Sequence, residues 1–244
     1  MTLAWARGPI DASVSGDSVT IAATILRHTR VVPARLCPEI RLHLVTGDCP
    51  LFRATEEEAA RAGLVEPYWA FSWAGGQALA RYVLDNPALC AGRSVLDFGA
   101  GGAVEGIAAA LVGAAVLAAD IDPVATEAAC LNAALAGVRL ETTTLDLVGR
   151  FDRHFDVVLA GDVFYGYDMA TPLVTWLRAV ASRGSLVLIG DPDRGFLDTT
   201  DLEPLARYEA PADNDADGSF LLPTTVYRVA PPVQRSSEKL SDVR

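Results

Sequence analysis

From about residue 94 onward, short apolar runs alternate with longer stretches in which apolar residues recur every three or four positions. Residues 94–98, 116–119, 139–144, 156–160 and 185–189 read as strands, too short and too uniformly apolar for helices. Residues 104–112 read as a helix of small side chains, 123–135 as a helix opened by Pro123 at its first position, and 169–181 as a helix with Leu173, Trp176, Leu177 and Val180 on one face. Strands that are apolar on both faces and separated by helices predict an α/β fold: a doubly wound, Rossmann-like, mostly parallel sheet. Upstream, Ile40, Leu42 and Leu44 alternate with Arg41 and His43, which predicts a half-buried strand with His43 turned to solvent. Thr55, Glu56, Glu57 and Glu58 form a capping box for a helix over 55–62, closed by Gly63. Trp69, Phe71 and Trp73 lead into a helix with Ala78, Leu79, Tyr82 and Val83 at helical spacing, stopped by Asn86 and Pro87. Beyond Gly190 follow a loop, an acidic insert at 213–217 and a candidate strand at 224–229. This divides the chain into an arm and extension over 1–66, a main domain over 67–230 and a tail over 231–244.

Composition narrows the function. Of 244 residues, 51% are hydrophobic and 21% charged, which is globular and leaves room for a sizeable core. The formal net charge of −11 opposes the field of a nucleic-acid binder, so no nucleic-acid partner is expected. The longest mainly aliphatic run, 106–119, is interrupted by Gly113 and falls short of the about 20 residues that span a membrane. Arg7, Gly8 and Pro9 interrupt any export signal, so a cytoplasmic location is expected. The cysteines (Cys37, Cys49, Cys90, Cys130) form no C-x-x-C pair and the three histidines are scattered, so no metal is expected.

Ligands of open α/β sheets bind at the carboxyl ends of the strands. The first strand of the repeating pattern ends in Asp97-Phe98-Gly99-Ala100-Gly101-Gly102, where glycines allow close approach to the backbone and the next helix offers free amides. Asp120, 21 residues beyond Gly99, follows the second strand, where a carboxylate takes ribose hydroxyls. A dinucleotide fingerprint would need a third glycine where Val104 stands, and no P-loop pattern occurs. A nucleoside without a pyrophosphate remains. S-adenosylmethionine fits, because its sulfonium tolerates an acidic pocket that would repel phosphate.

Several blocks together carry a resemblance: Pro67 to Tyr82 (PYWAFSWAGGQALARY), Ser94 to Gly101 (SVLDFGAG), Asp120-Ile121-Asp122-Pro123, Gly161-Asp162-Val163-Phe164-Tyr165 and Ile189-Gly190-Asp191-Pro192. The chain resembles, over about residues 30 to 195, the seven-strand S-adenosylmethionine-dependent protein lysine methyltransferases. More narrowly, it is similar to the branch that modifies the beta subunit of electron transfer flavoprotein. The glycine loop is shared widely, whereas the aromatic block, the D-x-x-Y tetrad and the Ile189–Pro192 segment are far more specific. The resemblance implies a seven-stranded sheet and a monomer. It implies that Trp73, Gly99, Gly101, Asp120, Asp146, Leu147 and Gly161 surround the cofactor, with Asp162 and Tyr165 facing the methyl-transfer centre. Gly102-Ala103 departs from the usual continuation of the glycine loop. The arm and the 213–217 insert match least well, and segments of that kind choose the protein substrate.

Methyl transfer to a lysine needs a neutral amine. With a pKa of about 10.4, only about one lysine in a thousand is neutral near pH 7.4, a cost of about 4 kcal/mol. An aromatic channel and the sulfonium favour the neutral form; Asp162 would orient the amine or take its proton through water, and Tyr165 would wall the channel. The anion of Asp162 also favours the ammonium form, and both roles stay open at this point. Two other readings keep the same cofactor site. A small amine such as a pyridine would call for a closed pocket, and a non-catalytic binding module would have no need of the tetrad.

Overall fold

The computed structural model describes residues 21–49, 57, 61, 67–211 and 220–230. The arm before residue 21, most of the 55–62 helix, the 213–217 insert and the 231–244 tail lie outside the described residues. Of the 55–62 helix, Glu57 and Arg61 are helical.

The first described segment is a helix, α1 (Ile21–His28), followed by a two-stranded antiparallel ribbon of β1 (Arg30–Pro33) and β2 (Arg41–Leu44). The main domain contains α2 (Ala74–Asp85), β3 (Ser94–Phe98), α3 (Val104–Leu111), β4 (Ala115–Ala119), α4 (Pro123–Leu135) and β5 (Glu141–Thr143). It continues with β6 (Val157–Gly161), α5 (Tyr167–Ala181), β7 (Leu186–Asp191), β8 (Leu202–Pro211) and β9 (Leu221–Val229). The seven-stranded sheet has the order β5-β4-β3-β6-β7-β9-β8. β9 runs antiparallel to both its neighbours while the other pairings are parallel, so the mostly parallel sheet expected from the apolar pattern is present.

Alternate residues of each strand feed the two faces. Val95, Val116, Val157, Leu159 and Leu188 pack with Ala78, Leu79 and Ile107 of α2 and α3, whereas Leu96, Leu117, Val158, Val187 and Ile189 pack with Leu173, Trp176 and Leu177 of α5. Reversal of strand order falls between β3 and β6, and the free ends of α2, α3 and α4 gather at the carboxyl edge there.

His43 corrects the alternation reading. It is buried, with Nδ1 3.3 Å from the Thr29 hydroxyl, because the ribbon is covered on both sides. The His43 amide donates to Asn132 Oδ1 on α4 at 2.7 Å, and Asn132 Nδ2 donates to the Gly102 carbonyl at 2.9 Å. The ribbon is thereby tied to the glycine loop.

Candidate active site

Acidic side chains at the carboxyl edge accept the free amides of the helix starts, four orphan donors being left at each helix N-terminus. Asp122 caps α4, its Oδ1 accepting from the Val124 amide at 2.8 Å. Asp97, fully buried on β3, accepts from the Gly106 amide in the first turn of α3 at 3.0 Å. Asp162 caps α2: its Oδ2 accepts the Gly75 amide, although Asp162 follows β6 and Gly75 lies far upstream in the chain. The positive ends of α2, α3 and α4 therefore each meet a carboxylate.

The glycine loop follows β3. Gly99, Gly101 and Ala103 have φ of 67°, 50° and 60°, a left-handed path that turns the loop over the strand ends and opens directly into α3. A Cβ on Gly99 would sit 2.8 Å from the Val163 side chain. Asp120, at the end of β4, accepts from the Gly101 amide through Oδ2 at 2.8 Å and from the Asp122 amide through Oδ1 at 2.9 Å. Asp120 thus fixes the loop opposite it and leaves remaining lone pairs on a half-buried carboxylate. Burial raises its pKa, and the two amides oppose that shift. The Gly99 and Ala100 amides donate to the Ala119 carbonyl, so the loop is held against β4, and left-handed glycines, an adjoining helix N-terminus and an acid at the second strand fit an S-adenosyl nucleoside.

Next to the loop lies the contact between α2 and the ends of β6 and β7. Gly161 and Gly190 are register partners, and Gly75 and Gly76 pack directly on them. A Cβ on Gly161 would fall 2.7 Å from the Gly76 nitrogen, and one on Gly76 would fall 2.8 Å from Glu105 Oε2. Only glycine permits this approach. The Gly161 amide donates to Glu105 Oε1 at 3.1 Å, and burial lifts Glu105 to about 7, with Asp162 adding to the rise. Burial and the charge of Glu105 push Asp97 well above the usual carboxylate range.

Asp162 itself stands in a left-handed backbone conformation, φ 55°, its amide donating to the Gly190 carbonyl at 2.9 Å. A non-glycine residue pinned there marks a site that the fold over-determines. Its Oδ1 accepts from Arg194 Nε at 2.9 Å and Nη2 at 2.7 Å. Burial raises the Asp162 pKa, with Arg194 and the Gly75 amide opposing it. Burial also lifts Asp191 to about 6, and the charge of Asp162 adds to that rise. Asp191 accepts the Asp193 amide at 2.7 Å, which turns the loop after β7 back so that Arg194 reaches Asp162.

Aromatic rings line the mouth in front of this pair. Tyr68 lies 6.0 Å from Trp73 and 6.3 Å from Tyr165, and Phe71 lies 5.8 Å from Trp73, measured between ring centres. Trp73 Nε1 donates to the Tyr68 carbonyl at 2.8 Å and the Arg194 guanidinium sits 5.6 Å from the Trp73 ring. Tyr68 and Tyr165 are 49% and 58% exposed, so the aromatic group faces solvent.

The sequence-derived residues thus form three joined groups: Gly99, Gly101 and Asp120; Gly161 beside Asp162; and Tyr165 with Trp73. Asp146 and Leu147 follow β5, the strand beside β4, and Leu147 packs against the cluster that holds Ala119 and Val163. Asp146 is exposed and caps its own turn at the Val148 amide, and Leu147 lines a cavity of about 530 Å³ on the α5 face of the sheet. None of Trp73, Asp162, Tyr165 or Arg194 lines that cavity. Glu105, Asp191 and Arg194 were missed by sequence reasoning. Glu105 had a usable signal, a lone acid in an otherwise apolar helix, and Arg194 had its place just after the distinctive Ile189–Pro192 segment.

Comparison with known proteins bears on family and fold. The ribosomal protein L11 methyltransferase (PrmA) family profile matches residues 78–164. The electron transfer flavoprotein beta subunit lysine methyltransferase of Xenopus laevis is 40% identical over 214 residues, 85% of this chain and 86% of that protein. Its Homo sapiens counterpart is 36% identical over 86% of this chain and 82% of that protein. The chain belongs to the electron transfer flavoprotein beta subunit lysine methyltransferase family. Membership makes the protein a methyltransferase that uses S-adenosylmethionine. The T. thermophilus 16S rRNA N2 G1207 methyltransferase (RsmC), solved with AdoMet and guanosine, matches 83% of this chain and 50% of that one, with TM-score 0.54 and 17% identity, a likeness of fold. Among the described residues no helix is long and apolar enough to cross a membrane.

Proposed function

We propose that the protein methylates lysines of the electron transfer flavoprotein beta subunit as a cytoplasmic monomer. Asp162 and Tyr165 stand at the transfer centre, and Trp73, Gly99, Gly101, Asp120, Asp146, Leu147 and Gly161 surround S-adenosylmethionine, which supplies an electrophilic methyl group. The observation that carries the reading is the aromatic mouth: Tyr68, Trp73 and Tyr165 ring the approach to Asp162 at the same sheet edge as the glycine loop. The lysine Nζ lone pair forms the new N–C bond, the C–S pair stays on sulfur as a neutral thioether, and the amine's proton leaves to water. This chain's residues align the two reactants and exclude water along the aliphatic stem of the lysine, which is where an in-line displacement gains most. Buried thiols at Cys37, Cys49 and Cys90 suit a reducing compartment.

Half-exposed tyrosines at the mouth would not be expected of an enzyme that engulfs a small amine, and they favour a lysine reaching in from a protein surface. The test offers the enzyme, with methyl-labelled S-adenosylmethionine, recombinant electron transfer flavoprotein in one reaction and nicotinamide in another. Label on beta-subunit lysines and none on nicotinamide is expected; label on nicotinamide alone would replace the reading.

A further inference from the structure

Asp162 poses a difficulty for the reaction. A carboxylate about 4–6 Å from an amine favours the ammonium form by roughly one to three pK units, and an ammonium has no lone pair for the methyl group. The charged groups acting on Asp162 come from several elements: Glu105 on α3, Asp191 on β7 and Arg194 in the loop beyond β7, with the α2 N-terminus adding the Gly75 amide. Glu105 and Asp191 are acids and add to the negative field. Arg194 alone among these groups is a cation, held on Asp162 Oδ1 by both Nε and Nη2 and set beside the Trp73 ring. The strained turn at Asp193, φ 58°, aims it there.

We propose that Arg194 is a positioning residue for the transfer: by binding Asp162 it cancels the carboxylate's field at the aromatic mouth, so that the carboxylate aims the incoming lysine without holding it protonated. The guanidinium itself touches neither the methyl group nor the amine. The inference rests on the placement of Asp162 at the transfer centre, and it resolves the two roles open to that residue in favour of aiming. With one oxygen on Arg194 and the other on Gly75, Asp162 is a fixed acceptor.

The full-length Arg194→Met, Arg194→Lys and Asp162→Asn/Arg194→Met variants are compared with wild type in initial rates of labelling of electron transfer flavoprotein from pH 6.5 to 9.5. Calorimetric affinity for S-adenosylmethionine and circular dichroism report whether each variant keeps its site and fold. Arg194→Met is expected to lose about tenfold in kcat near pH 7.5, to regain most of it by pH 9.5 and so to move the rate midpoint up by about one unit, with KM for the protein acceptor not raised. Arg194→Lys, which keeps the charge, holds the midpoint within a few tenths of wild type. In the double variant the midpoint returns toward wild type because the anion is gone. A loss uniform across pH, or an unmoved midpoint in Arg194→Met, overturns the inference while leaving the transferase reading intact. A double variant whose midpoint stays displaced overturns the assignment of the field to Asp162, and absence of labelling by wild type overturns the function and this inference together.

Discussion

Burial and hydrogen bonding at single residues set the chemistry of the sheet edge. Glu105 has an ordinary carboxyl value of 4.5, and burial lifts it to about 7 in the folded protein. Between those values the folded state holds a proton that the unfolded chain has released, so the associated stability is complete below the ordinary value and declines as pH rises toward 7. The decline amounts to about 3 kcal/mol at one pK unit per 1.36 kcal/mol. Glu105→Gln keeps an acceptor for the Gly161 amide and removes the charge. Thermal denaturation at pH 5 and pH 8 is therefore expected to show wild type losing on the order of 5 °C more than the variant; parallel losses would contradict the assignment. At this scale the residues just after strands were legible: Asp97, Gly99, Asp120 and Asp162 all fall where a parallel sheet exposes its carboxyl edge. Arg194 was not, because a side chain that reaches its partner through a turn after β7 leaves no periodic trace, and the bond from the Gly75 amide to Asp162 was equally hidden, because it joins residues far apart in the chain.

Among the elements, α2 is the one whose placement the site depends on. Its first turn lies against β6 and β7 with no room for a side chain at Gly75, Gly76, Gly161 or Gly190; a Cβ on Gly190 would come 2.9 Å from the Leu79 side chain. Gly190→Ala must push α2 off the sheet and with it the Gly75 amide from Asp162. It is expected to cost about 3 kcal/mol or more, on the order of 8 °C in Tm. Gly166→Ala, with open space around the position, is expected to cost under about 1 kcal/mol; equal effects by differential scanning calorimetry would refute the close-packing account. The helices at 104–112 and 123–135 and the strands through β7 were legible because apolar period and breakers agree there. α1 is only eight residues long and mixes β-branched residues into its face, and so merged with the arm. β8 escaped because it is an edge strand, carrying Pro204 at a bulge and little continuous apolar character.

For the molecule as a whole, strand order and charge act together. The order β5-β4-β3-β6-β7-β9-β8 brings the ends of β3, β4, β6 and β7 to one edge, so residues far apart in the chain meet as one site. Net charge of −11 gives the molecule as a whole a long-range attraction for a basic, lysine-bearing surface. Raising ionic strength from about 0.05 to 0.3 M is expected to lower kcat/KM for the protein acceptor several-fold, mainly through KM; a rate indifferent to salt would remove long-range attraction from the account. The most direct test of the central claim is peptide mass spectrometry of electron transfer flavoprotein after incubation with methyl-labelled S-adenosylmethionine and either wild type or Asp162→Ala, with cofactor affinity measured on both. The account predicts labelled beta-subunit lysines with wild type and none with Asp162→Ala, at cofactor affinities within a few fold of each other. Undiminished labelling by Asp162→Ala would contradict it, because the amine would then meet the methyl group without the residue that the fold of this sheet edge holds in place.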